Sequence, residues 1–124
     1  MNGRIFALGL GVALAAAPAP ALAITWVNVG TSTSGSVYDV DWDSIRRDGS
    51  IVTFTLRTKY GSPGTTGEDG YIAQRRANCA TKNYADMHTD YMKNGSVLNS
   101  TGTEEDRHAA PDSVAEGVLQ KVCA

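Results

Sequence analysis

The residues best suited to catalysis in this sequence are its two histidines, His88 and His108. With Lys82 or Lys93 nearby they could form a general acid–base pair of the kind that secreted ribonucleases use. Two histidines are also common in small domains that catalyse nothing, and His108 lies in the polar segment TEEDRHAAP, which is typical of solvated chain. The sequence contains no G-x-S-x-G or H-E-x-x-H motif. We therefore predict that the protein is not an enzyme, with a small secreted hydrolase using both histidines as the alternative.

Three aspartates at alternate positions, Asp39, Asp41 and Asp43, resemble the opening of a calcium-binding loop. An EF-hand loop would need glycine at its sixth position and glutamate at its twelfth. Those positions hold Ser44 and Ser50. The alternation is better explained by acidic side chains on the solvent side of a strand, so we expect no metal site and no cofactor.

The remaining reactive groups are the two cysteines, Cys79 and Cys123. Neither has a histidine or a further cysteine at the spacing of a metal site. In an exported chain, two cysteines predict one disulfide bond. Such a bond closes a loop of about 45 residues and contributes about 4 kcal/mol in the chain-entropy model, which is a large part of the stability of a small domain.

Export is indicated by residues 1–23, which have the pattern of a secretory signal peptide. An apolar run from Ile5 to Ala17 ends in prolines and in Ala21-Leu22-Ala23, which fits an A-x-A cleavage site. The apolar run is shorter than the roughly 20 residues that span a bilayer. Since Ile24 would follow the cut, no lipid-acceptor cysteine is present there. We expect a protein of the periplasm or the cell surface that has no integral membrane segment after cleavage.

The charge and the length limit the partners and the architecture further. The formal net charge is −2 and acids alternate with bases along the chain, which argues against binding to nucleic acid. The partner is expected to be a protein or a glycan. Residues 24–124 are enough for one domain and too few for two.

Apolar residues recur mainly with a period of two, which predicts strands. In the second strand, Tyr38, Val40 and Trp42 share one face, and both Trp26 and Trp42 are expected in the core. Asp48-Gly49 and Asn94-Gly95 are typical hairpin turns. The six segments with this pattern are ITWVNVG, SVYDVDWDSI, IVTFTLRTKY, YIAQRRANCA, TKNYADMHTDYM and SVLNSTGT.

The C-terminal segment changes to a helical pattern. Ser113 and Glu116 fit a capping box in which each side chain accepts from the other's backbone. An apolar stripe then continues to the end of the chain, formed by Val114, Val118, Leu119 and Val122. Together these patterns predict an α+β, mainly β fold: an antiparallel sheet of about five or six strands with a C-terminal helix packed on it and held by the disulfide.

A possible binding surface follows from the charges on this sheet. Arg57 and Lys59 lie on the solvent side of their strand and could join Arg46, Arg47, Arg75 and Arg76 on one face, although ordinary solvated charge is the alternative. The segment Gly61–Gly70 contains no lysine and leads into a strand, so it is expected to be a mobile hairpin loop and not a phosphate-binding loop. The candidate surface comprises Arg57, Lys59, Arg75, Arg76, Gly64 and Glu68.

Taken in order, these features resemble the surface-adhesin protein E-like family of bacterial envelope proteins. The resemblance runs from Trp26 to Cys123 and rests on VYDVDWDSIRRDGSIVTFTLRTKY, a cysteine after the next strand, and the terminal PDSVAEGVLQKVC. It implies an antiparallel sheet with the C-terminal helix held by the disulfide, and it implies adhesion to host extracellular-matrix proteins. The alternative function is a periplasmic inhibitor or accessory protein acting on a cell-wall enzyme through a protruding loop.

Overall fold

The computed structural model describes residues 24–124, so the predicted signal peptide at 1–23 lies outside the described residues. The described chain forms an eight-stranded antiparallel sheet followed by one helix. In chain order the elements are β1 (Trp26–Thr31), β2 (Val37–Asp41), β3 (Arg46–Asp48), β4 (Ile51–Lys59), β5 (Gly70–Asn78), β6 (Asn83–Lys93), β7 (Ser96–Thr101), β8 (Arg107–His108) and α1 (Val114–Val122).

The sheet is a meander in the order β1-β2-β4-β5-β6-β7, with two short strands beside it. The short β3 pairs with the first part of β4, and β8 pairs with the first part of β6. The six main strands coincide with the six segments predicted from period-two alternation. The two short strands were not predicted, because two or three residues are too few to show a period.

The core lies between one face of the sheet and α1. Alternate residues of β4, Val52, Phe54 and Leu56, are buried there. They meet the buried helix residues, which are Val118, Leu119 and Val122. The disulfide between Cys79 and Cys123 is confirmed and joins the end of β5 to the end of α1, with a Cα–Cα distance of 5.7 Å. The guanidinium of Arg47 also donates to the carbonyl of Val122, so the last turn of the helix is tied to the sheet twice.

The start of α1 follows the predicted cap in one half only. The Ser113 hydroxyl accepts a hydrogen bond from the Glu116 backbone N–H at 3.2 Å. The Glu116 carboxylate, however, accepts from the backbone N–H of Asp112 at 3.0 Å and not from that of Ser113. Asp112 has a positive φ of 63°, and we attribute the change of donor to this tight turn before the helix.

The expectation that both tryptophans lie in the core was wrong, because Trp26 pairs with Asp41 on the outer face of the sheet and Trp42 is turned away from the core. The regular strand ends at Asp41, whose carboxylate accepts from the Asp43 backbone N–H and begins a short 3-10 helix. The change of period turns Trp42 outward, and 42% of it is exposed. Trp26 is half-buried, and the guanidinium of Arg57 lies over its ring at 4.2 Å. No helix within 24–124 is long and apolar enough to cross a membrane.

Candidate functional site

The described residues form an open cleft of about 280 Å³ on the core face of the sheet, beside the start of α1. We call it the tyrosine cleft, because it is lined by all five tyrosines of the sequence. They come from β2, β5 and β6 and from the residue that follows β4, and they are Tyr38, Tyr60, Tyr71, Tyr84 and Tyr91. Val114 and Ala115 of α1 form an apolar part of the wall. The register of the sheet brings these residues together, since paired residues of antiparallel strands share a face.

Three of the tyrosine rings form a row at one end of the cleft. Tyr71 of β5 is paired with Tyr91 of β6, and their ring centres are 6.1 Å apart at 60°. Tyr60 meets Tyr71 edge to face, again at 6.1 Å. Burial and the neighbouring Tyr71 raise the pKa of Tyr60 to about 12. Its hydroxyl therefore remains protonated and able to donate a hydrogen bond at neutral pH.

The other end of the cleft contains a buried ion pair. Arg75 Nε donates to Asp86 Oδ1 at 2.7 Å, and both side chains are 6% exposed. Burial alone would lower the pKa of Arg75, but the hydrogen bonds and charge of Asp86 hold that pKa above its ordinary value. The guanidiniums of Arg75 and Arg107 lie over the Tyr84 ring at 4.6 and 4.8 Å. Charge and ring stacking together fix this end of the cleft.

One buried hydroxyl group of the cleft has no hydrogen-bond partner among the described residues. Thr89 lines the cleft, is 2% exposed, and its Oγ1 makes no hydrogen bond. The hydrogen bonds around the cleft join Arg75 to Asp86 and Arg107 to Glu104. Buried polar groups are normally paired, so an unpartnered hydroxyl in the wall of a cleft indicates a binding site.

The basic surface predicted from the sequence does not form as one patch. Arg57, Lys59 and Arg76 lie on the outer face of the sheet, but Arg75 pairs with Phe54 and therefore lies on the core face, where it is buried. The outer Arg57 is itself neutralised, since its Nη2 is 2.8 Å from Asp39 Oδ2. Asp39 is only 8% exposed and is not the solvated acid that the alternation indicated.

The predicted loop Gly61–Gly70 connects β4 and β5 and is held at both ends. The backbone N–H of Tyr60 donates to Asp69, and the N–H of Asp69 donates to the carbonyl of Met92 in β6. Glu68 accepts from the hydroxyl and the N–H of Thr66, and the hydroxyl hydrogen bond lowers the pKa of Glu68. Gly64 donates to the Glu68 carbonyl at 2.8 Å. Gly64 and Glu68 therefore stabilise the loop itself.

The structure separates the two histidines. His108 is paired with Asn83 at the start of β6, and its Nδ1 is 3.0 Å from Asn83 Oδ1. His88 is further along β6 and is 2.8 Å from Asp90 Oδ1. At about 3.3 Å per residue, the positions of Asn83 and His88 are roughly 16 Å apart. This distance is too long for proton transfer through a single water.

The three alternate aspartates also have local partners. Besides the contacts of Asp39 and Asp41 described above, Asp43 accepts from the hydroxyl of Thr25 at 3.1 Å. Within the described part of the chain, no three histidine, cysteine or acidic residues are grouped so that they could hold a metal ion.

Known proteins are similar to this chain in family and in fold. The profile of the family described as Surface-adhesin protein E matches residues 26–124. A solved structure, crystal form II of Haemophilus influenzae protein E, is similar with a TM-score of 0.59 and 17% identity, over 86% of this chain and 94% of that chain. This likeness establishes a shared fold. No curated protein matches the sequence.

Proposed function

Because the chain belongs to the surface-adhesin protein E family, we propose that it is an exported, non-enzymatic envelope protein that binds a macromolecular partner. The partner suggested by the family is a host extracellular-matrix protein. The family supports a surface adhesin in general. The location of the binding site is inferred from the structure.

The observation that carries the proposal is the convergence of all five tyrosines and two arginines on one cleft. Tyrosine and arginine are the side chains, with tryptophan, that contribute most to macromolecular binding. A tyrosine supplies a large, rigid and partly polar contact area at a low cost in conformational entropy. Elsewhere on the described surface, the exposed large apolar residues are Ile24, Trp42, Val97 and Leu98, which do not line the tyrosine cleft.

The cleft is also built mainly from regular secondary structure. Its side chains project from hydrogen-bonded strands, and the helix that forms one wall is fixed by the Cys79–Cys123 disulfide. A preformed site loses less entropy on binding than a flexible one. The separation of His88 and His108 described above supports a binding role over the hydrolase alternative.

A periplasmic inhibitor or accessory protein is the second candidate, and the Gly61–Gly70 loop favours it. Its hydrogen bonds to Met92 and across its base connect it to the sheet. An ordered loop of this kind can enter the active site of an enzyme such as a cell-wall hydrolase.

Binding of the purified protein to immobilised extracellular-matrix proteins tests the first proposal. We expect Tyr71→Ala and Tyr91→Ala to weaken binding by about fivefold or more. Trp42→Ala removes an aromatic side chain that is 42% exposed outside the cleft and is the matched control, with binding unchanged. Equal binding by all four proteins would exclude the tyrosine cleft as the site.

Protease treatment of intact cells separates the two candidates. Loss of the protein while a periplasmic control protein survives would support a surface adhesin. Protection until the outer membrane is permeabilised would favour the periplasmic inhibitor, and the search for partners would turn to cell-wall enzymes.

A further inference from the structure

The tyrosine cleft presents both aromatic surface and hydroxyl groups to a ligand. The rings of Tyr60, Tyr71 and Tyr91 meet at 60° to 63° and not face to face, so the neighbours do not stack on each other's faces. An aromatic face carries partial negative charge, which attracts the partly positive C–H groups on the face of a sugar ring. The same side chains carry hydroxyl groups that can pair with those of a sugar.

The charges in the cleft balance, which limits the ligand to a neutral one. The cationic groups are Arg75 and Arg107, and the anionic groups are Asp86 and Glu104. Arg75 is committed to Asp86, and Arg107 Nη2 lies 3.2 Å from Glu104 and 3.6 Å from Asp86. A site for phosphate, sulfate or a carboxylate would instead present an uncompensated guanidinium.

The polar groups in the wall require a ligand that both donates and accepts hydrogen bonds. The Thr89 hydroxyl is buried without a partner, and the Tyr60 hydroxyl stays protonated because its pKa is raised to about 12. Hydroxyls both donate and accept, whereas the carboxylates of Asp86 and Glu104 only accept. A polyol matches such a mixed set, while an apolar or proline-rich peptide would leave much of it unpaired, at a cost in affinity.

The volume is consistent with this chemistry. At about 280 Å³, the cleft lies close to the lower end of the range of about 300–1,000 Å³ for small-molecule sites. It can accept a small part of a larger ligand, such as the end of an oligosaccharide chain, and not a folded protein surface.

From these observations we propose that the tyrosine cleft binds a neutral saccharide, through ring stacking on its tyrosines and hydrogen bonds to its hydroxyl groups. This inference rests on the proposed function, since it identifies the part of the partner that the cleft recognises as a glycan. The partner's polypeptide is then not the element held in the cleft.

The direct test uses free oligosaccharides and the purified protein. N-acetyllactosamine, chitotriose and mannotriose are the neutral probes, and 3′-sialyllactose and a heparin tetrasaccharide are the charged probes. Saturation-transfer NMR and calorimetric titration measure binding. We expect at least one neutral probe to bind, Tyr71→Ala to weaken it by about fivefold or more, and Trp42→Ala to leave it unchanged. Tyr71→Phe keeps the ring and loses the hydroxyl, so a smaller loss than that of Tyr71→Ala is expected.

Three results would overturn the inference: no neutral probe binds, a charged probe binds more tightly than any neutral one, or Trp42→Ala weakens binding as much as Tyr71→Ala. Folding of each variant is checked by its urea unfolding transition. A fourth result comes from matrix glycoproteins treated with N- and O-glycosidases. Binding that survives this treatment yet is lost in Tyr71→Ala would overturn the glycan assignment and leave the adhesin proposal standing. If free saccharides bind but no matrix protein does, the adhesin proposal is overturned and the glycan assignment stands.

Discussion

Strands β4 and β6 flank β5 in the same sheet, yet the side chains that they direct to the core face differ in kind. In β4 these are Val52, Phe54 and Leu56, which are at most 2% exposed and pack in one core with α1. In β6 they are Tyr84, Asp86, Thr89 and Tyr91, which line an open cleft. The helix covers the first set and leaves the second accessible at its starting end.

This difference indicates that stability and binding depend on different halves of one face. Apolar area removed from water contributes about 25 cal/mol per Å², and the β4 half supplies Val52, Phe54 and Leu56 to the core. The β6 half contains polar groups that a purely structural core would exclude. Substitutions in the two halves should therefore act on different properties, and the following predictions test that separation.

The largest expected loss of stability lies at the buried ion pair of Arg75 and Asp86. Because Asp86 belongs to the β6 half, this loss would limit the separation of stability from binding. Asp86→Ala leaves the guanidinium of Arg75 buried without its counter-ion, and we expect a loss of about 3–5 kcal/mol in the free energy of unfolding. The double variant Arg75→Met with Asp86→Leu should recover most of it, because both charges are removed. Urea unfolding measures both. A loss below about 1 kcal/mol in Asp86→Ala would contradict this reading, since it is the value of exposed pairs.

The disulfide comes next and concerns the helix-covered half. Cys79→Ser and Cys123→Ser should each destabilise the protein by about 4 kcal/mol in the chain-entropy model. The double variant should lose no more than either single one, because all three lack the same bond. Thermal unfolding of the four proteins measures this, and additive losses would show that the cysteines act independently.

A matched pair of smaller substitutions tests the comparison directly. Leu119→Ala removes a side chain that is 3% exposed in the core, and we expect a loss of about 2–5 kcal/mol in the free energy of unfolding. Tyr91→Phe removes one hydroxyl from the cleft and should change stability by less than about 0.5 kcal/mol. Binding to the saccharide probes should show the opposite order. Comparable stability losses in both variants would contradict the division of the face.

Features of the fold that follow from local sequence patterns could be predicted, whereas features that depend on contacts between distant residues could not. The strands, the disulfide and the resemblance to the surface-adhesin protein E family were all confirmed. They follow from local alternation, from a single possible cysteine pairing and from ordered motifs. The position of Trp42 was missed because Asp41 caps a 3-10 turn that breaks the alternation.

The tyrosine cleft was missed for a different reason. Alternation placed Tyr38 and Tyr60 on core-facing positions, where an aromatic residue is normally expected to be buried. That the helix leaves them uncovered depends on where α1 crosses the sheet, which no local pattern encodes. Arg75 gave a partial signal, since it alternates with Ala73 and Ala77 on the core face. A charged residue at such a position calls for a partner, and the bulge beside Gln74 and Arg75 in the β5–β6 register supplies Asp86.

The start of α1 makes a smaller, pH-dependent contribution to the helix-covered half. The backbone N–H of Asp112 and the ammonium of Lys82 lower the pKa of Glu116. A carboxyl whose pKa is lower in the folded state stabilises the protein above the unfolded pKa, and this contribution is lost as the pH falls through the folded pKa. We expect Glu116→Gln to lower the melting temperature at pH 7 and to converge with the parent protein at the acid end. A constant difference at all pH values would assign the effect to packing.

The smallest effect is expected where the loop Gly61–Gly70 leaves the sheet. A specific protease site in place of Thr65 and Thr66, which are both exposed, would allow one cut at the tip. The cut disturbs the hydrogen bonds from Thr66 to Glu68 at the tip but leaves those from Tyr60 to Asp69 and from Asp69 to Met92 at the base, so it should leave the unfolding transition nearly unchanged. The uncut protein with the same site is the control. Saccharide binding should also persist, because the cleft residues that adjoin the loop, Tyr60 and Tyr71, lie at its base and not at the cut. Global unfolding after this single cut would show that the loop is part of the core.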